Sequence, residues 1–100
     1  MTTNDDAIWA RMAAAPLPIV QMVPLRRPDF VGWRGTVMMQ NCLDKLDVET
    51  AEDLLSRSPA DVMAVDSAGR KVCGEIARLR AWLLAGRPAA EVDRYLAPPP

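Results

Sequence analysis

Ala68-Gly69-Arg70-Lys71-Val72-Cys73-Gly74-Glu75-Ile76 is the stretch on which the fold turns. Val72, Cys73, Ile76, Leu79 and Leu83 recur at helical spacing and make an apolar stripe, so a helix is expected from about Arg70 to Ala85, with Gly86 as its stop and Pro88 beyond. Gly69 stands between this helix and the segment before it, and a glycine there is expected to take φ > 0 and turn the chain sharply. The turn then leaves backbone N–H groups at a helix N-terminus, where the macrodipole favours an anion, with Arg70 and Lys71 beside them. Two readings follow: a helix-hairpin-helix turn that clamps a nucleic-acid phosphate, or a glycine that ends one helix before two solvated bases.

Working outward, each earlier segment opens with its own start signal. Thr36 reads as the N-cap of a helix to about Lys45 that buries Val37, Leu43 and Leu46. Thr50-Ala51-Glu52-Asp53 is a capping box opening a helix that buries Leu54 and Leu55. Ser58-Pro59-Ala60-Asp61 is another, with proline at the first helical position, and buries Val62, Met63 and Val65. Residues 4–14 form an amphipathic pattern with Ile8, Trp9 and Met12 on one face, ended by Pro16. That face suits packing on the domain, a dimer arm or an outside partner. From Pro16 to Gly35 the prolines forbid a continuous helix, and Leu17 to Leu25 is expected to be extended. Residues 89–96 suggest a short last helix before Pro98-Pro99-Pro100. No strand is required.

Taken together, Thr36-Val37, Asn41-Cys42-Leu43, Asp53-Leu54, Gly69-Arg70-Lys71 and Glu75-Ile76 resemble the C-terminal domain of the bacterial RNA polymerase alpha subunit. That family reads Ser/Thr-Val-Arg-Ser-x-Asn-Cys-Leu, then Gly-Asp-Leu, then Gly-Arg/Lys-Lys-Ser-Leu-x-Glu-Ile, at these separations. The match spans about forty of the hundred residues. The resemblance implies a compact bundle of short helices that binds the DNA minor groove and touches activators and sigma factor. It also puts Asn41, Gly69 and Lys71 on DNA-contacting positions. Three positions depart from the pattern: Met38 stands where the family has its minor-groove arginine, Val72 where it has serine, and Gly35 where it has leucine.

The expectation is therefore an all-α protein with an N-terminal helix and Pro-rich arm over 1–35, an alpha-C-terminal-like domain over 36–96 and a proline tail over 97–100. One hundred residues suit a single modest core. The net charge of −1 argues against a protein that coats DNA indiscriminately, yet the charge is unevenly spread. Residues 44–66 carry seven acids and two bases, whereas 67–87 carry five bases and the single acid Glu75. A basic and an acidic face follow, suited to phosphates and to a basic protein partner, or simply to water. Arg26, Arg27 and Arg34 read either as surface residues or as a basic arm for a minor groove.

With no histidine, the usual base for a serine or cysteine nucleophile is missing, and neither a nucleotide loop nor metal-ligand spacing occurs. The carboxylates are expected on exposed helix faces. Cys42 and Cys73 are expected to be reduced core thiols of a cytoplasmic bacterial protein, since no signal peptide or membrane span is readable. The chain thus reads as a non-enzymatic, transcription-associated DNA-binding protein without cofactor, metal or small-molecule substrate, monomeric or dimeric. Weak, largely non-specific DNA binding is assigned to Asn41, Gly69, Arg70, Lys71 and Arg34. The alternative is a module of the same fold that contacts polymerase, sigma factor or an activator and has lost DNA.

Overall fold

A computed structural model describes residues 4–15, 23–66 and 68–87. It is a mostly helical, compact globule in which five helices enclose one core: α1 (Asn4–Ala13), α2 (Val37–Lys45), α3 (Ala51–Leu55), α4 (Pro59–Met63) and α5 (Arg70–Leu84). Between α1 and α2 the chain forms a two-stranded antiparallel ladder, β1 (Val23–Pro24) with β2 (Arg34–Gly35), Val23 opposite Gly35 and Pro24 opposite Arg34. The expectation that no strand is required is thereby corrected: the Pro-rich stretch pairs with the residues just before α2. The predicted extension over 17–22 and the last helix over 89–96 lie outside the described residues.

The start signals act where they were read. Thr36, Thr50 and Ser58 are the N-caps of α2, α3 and α4, and both capping boxes are closed. Val62, Leu54, Leu43, Cys42, Ile76 and Leu79 are fully buried. The apolar faces are narrower than expected: Val37, Leu55 and Met63 are exposed, because helices this short turn only one side to the core. Gly86, at φ 86°, ends α5 in the left-handed conformation.

Two segments complete the core. The loop between β1 and β2 folds over a 3-10 turn (Pro28–Phe30) and buries Leu25, Phe30 and Trp33, with Trp33 against Trp82 of α5 at 4.9 Å between ring centroids. Arg27 is buried within this loop, where it donates to the Val48 carbonyl and pairs with Asp44. It is therefore neither a surface residue nor part of a basic arm. Helix α1 lies along α5, the most extensive helix pairing in the fold, with Trp9 buried beneath the guanidinium of Arg80. The approach is close at Gly74, where an added Cβ would stand 2.9 Å from the Met12 carbonyl oxygen and 3.1 Å from Ala15 Cβ. Helix α1 is thus built into the same core as α2–α5.

Candidate nucleic-acid interface

The N-terminus of α5 differs from the geometry expected of it. Gly69 is its N-cap, but at φ −72° and ψ 176°, which is extended backbone open to any residue. An added Cβ there meets nothing within 4 Å. The glycine is thus not needed for handedness. It leaves the helix start without a side-chain acceptor: no side-chain bond caps Gly69, and no acid occupies the first turn. The first N–H groups of a helix have no intrahelical partner, and here the residues carrying them include the exposed bases Arg70 and Lys71. Like charge at the positive end of a dipole is locally unfavourable.

Glu75, in the second turn of α5, ties the α2 N-terminus to this helix. The Thr36 N–H donates to Glu75 Oε1 at 2.9 Å, Thr36 Oγ1 donates to Oε2 at 2.8 Å, and Thr36 Oγ1 accepts from the Met39 N–H at 3.1 Å. Glu75 is only 1% exposed, so it is not the solvated carboxylate expected of it. Burial pushes its pKa above the ordinary value, against the hydrogen bonds from Thr36, which pull it down. The signal was present: Glu75 falls three residues after Val72 and four before Leu79, on the apolar stripe itself. A carboxylate there needs a donor, and the Thr36 cap supplies two.

Lys71 lies one helical turn before Glu75, hence close to the Thr36 junction. On α2, Val37, Met38 and Asn41 share an exposed face at spacings of three and four residues. Arg34, half-buried in β2, stands two residues before Thr36. All five sequence-assigned residues therefore sit on the segments that meet at the α2–α5 junction. The basic face is smaller than residue counts imply. Arg78 donates to the Ala15 carbonyl and Arg80 lies 4.8 Å over the Trp9 ring, so both face α1. Arg70, Lys71 and Arg87 remain exposed. On its far side Arg70 borders an open groove of about 410 Å³, lined also by Arg11, Met12, Ala15, Met63, Ala68 and Cys73, with no carboxylate among them.

Both thiols are free, and burial pushes Cys42 up to about 11 and raises Cys73, which keeps them protonated. Glu75 is engaged by Thr36. No cluster of metal-ligating side chains occurs among the described residues, and none of their helices is long and apolar enough to cross a membrane. Compared with protein-family models, curated proteins and solved structures, the chain matches none.

Proposed function

We propose that this chain is a small DNA-binding domain of the transcription apparatus that holds the duplex backbone at the α5 N-terminus. The carrying observation is the pair Arg70 and Lys71 on an uncapped, acid-free first turn. An anion would satisfy the N–H groups and neutralise the bases together. Asn41 lies on α2 and Arg34 two residues before Thr36, the residue that bonds α5 through Glu75. The resemblance of this constellation to the polymerase alpha C-terminal domain supports the reading, as do free thiols, which suit a cytoplasmic setting. Few phosphates are within reach of so small a basic area, so affinity belongs near the roughly 10⁻⁴–10⁻⁶ M of non-specific binding at physiological salt.

Anisotropy titrations of a labelled duplex over a range of salt test this. Arg70→Ala and Lys71→Ala should each weaken binding and flatten the log–log salt slope by about 0.9. Absence of binding at low salt, or slopes unchanged in both variants, sinks the proposal. A second reading is favoured by Val37 and Met38, which are 58% and 53% exposed beside the bases. In that reading the face docks on an acidic segment of polymerase, sigma factor or an activator and ignores DNA.

A further inference from the structure

The groove bordered by Arg70 has no role in holding a duplex backbone. Three segments wall it. Helix α1 supplies Arg11, Met12 and Ala15, the start of α5 supplies Arg70 and Cys73, and Met63 and Ala68 close it from α4 and the turn that follows. Helix α1 comes this close because Gly74 opposes it with no side chain. The base of the groove is apolar and neutral. Ala15 is 3% exposed and Cys73 6%. The Cys73 thiol donates to the Ala68 carbonyl at 3.7 Å, and burial raises its pKa, so no thiolate forms there. The Ala15 carbonyl is already taken by Arg78. Met12 and Met63 add two thioether chains, which mould readily to an apolar guest. Against this wall stand two exposed guanidiniums, Arg11 and Arg70, with no acid in the lining.

We propose that this groove binds a small apolar carboxylate, with its hydrocarbon part on the methionine and alanine wall and its carboxylate held by Arg11 and Arg70. The volume of about 410 Å³ is that of a ligand site; small-molecule sites run from roughly 300 to 1,000 Å³. A guanidinium presents a planar fork of donors that matches a carboxylate. Burial of the hydrocarbon adds affinity in proportion to its area. A cation of the same length is repelled by both arginines, and a neutral chain gains only the apolar part. The charges thus select an anion, and the wall selects a hydrocarbon body. A protein segment fits less well. A stable protein interface takes roughly 800 Å² from each partner. Of the exposed large apolar residues, only Met63 borders the groove. Apolar contact therefore ends at its edge, and the occupant is compact. This inference stands apart from the DNA-binding reading, in which Arg11, Met12 and Met63 take no part.

The probe is decanoate, added to the full chain isotope-labelled at its methionine methyl carbons. Decylamine and decanol serve as cationic and neutral counterparts of equal length. Decanoate should shift the Met12 and Met63 signals saturably and leave Met38, exposed on α2, in place. Decylamine should shift neither, and decanol should bind about fivefold more weakly. Arg11→Met and Arg70→Met should each weaken decanoate by up to about fivefold, the worth of a good exposed ion pair. Met63→Glu puts an acid in the lining, so it should abolish decanoate binding and admit decylamine. All three side chains are exposed, and melting curves should confirm intact folds. Absence of a saturable shift at Met12 and Met63, equal binding of decylamine, or Met38 moving in step overturns the proposal. So does full affinity in the Arg11→Met, Arg70→Met double variant. If decanoate fails while an acidic, leucine-bearing peptide shifts the same two methyls, the small carboxylate is wrong and the groove serves a protein partner.

Discussion

Helices α3 and α5 begin in opposite ways. At α3, Thr50 Oγ1 accepts from Asp53 N–H at 3.1 Å, and Asp53 Oδ2 accepts from the Glu49 and Thr50 N–H groups. Asp29, reaching from the β1–β2 loop, takes the Ala51 N–H at 2.7 Å. The neighbouring α4 repeats the box with Ser58 and Asp61. At α5 there is a glycine, no capping side-chain bond and two bases. The same chain therefore carries the local devices for a saturated helix start and omits them at one long helix. Stability comes to α5 through its flank, from burial against α1 and α2, which leaves its N-terminus free for an outside anion.

The sharpest way to break this contrast is at Glu75, the link between the α2 and α5 starts. Glu75→Ala strands a buried N–H and hydroxyl, and should cost roughly 2–4 kcal/mol in urea unfolding. A cost no larger than a surface substitution would show that Thr36 finds another acceptor. Next comes Gly74→Ala. Backbone of α1 blocks the new methyl, so overpacking of about 1–3 kcal/mol should exceed the helix-propensity gain of roughly 1 kcal/mol. In a chain lacking residues 1–15 the sign should reverse, provided that shortened chain still melts cooperatively. Third, Thr50→Ala and Ser58→Ala should each cost about 1 kcal/mol, the worth of a cap. Smallest is a gain: Gly69→Asp supplies the missing cap and should add about 0.5–1 kcal/mol while abolishing DNA binding. Gly69→Ala, with no φ strain to relieve or create, should change stability by less than about 0.5 kcal/mol.

The contrast extends to pH. Asp53 and Asp61 are held below the ordinary 3.8, chiefly by the backbone N–H bonds of their boxes. Their contribution is present above about 3.8 and lost as pH falls through the lower folded values. Glu75 has the opposite sign: its folded pKa is raised above 4.5 by burial, so the native state holds the proton more tightly. Its contribution is complete below about 4.5 and declines as pH rises through the folded value. Unfolding free energies measured upward from pH 4.5 should therefore slope less in Glu75→Gln than in the parent chain. Identical slopes would remove Glu75 from this account.

Helix starts were legible because a capping box lies within four residues. The stop at Gly86 and the burial of Cys42, Cys73 and Ile76 were legible from spacing. What sequence could not provide was the identity of a distant partner. The stripe of Ile8, Trp9 and Met12 predicted a buried face, and only Gly74, an isolated glycine within a helical pattern, hinted where α1 would be seated. Arg27 carried no signal, because its acceptors lie 17 and 21 residues away. The proposed site residues rest on residue type alone, and the positive φ expected at Gly69 is not adopted. Val37, expected in the core, instead stands exposed at the first turn of α2.

The seating of α1 on α5 also governs how the protein is made. The bond from Arg78 to the Ala15 carbonyl joins positions 63 residues apart, and the groove Gly74 provides exists only once α5 has formed. A nascent chain therefore carries Trp9 and Met12 uncovered until residues 70–84 have emerged, while α3 and α4 can cap themselves locally. Contacts of such separation slow the search for the native state. Until α5 packs onto α1 the core stays open, and the apolar face of α1 is exposed surface prone to association.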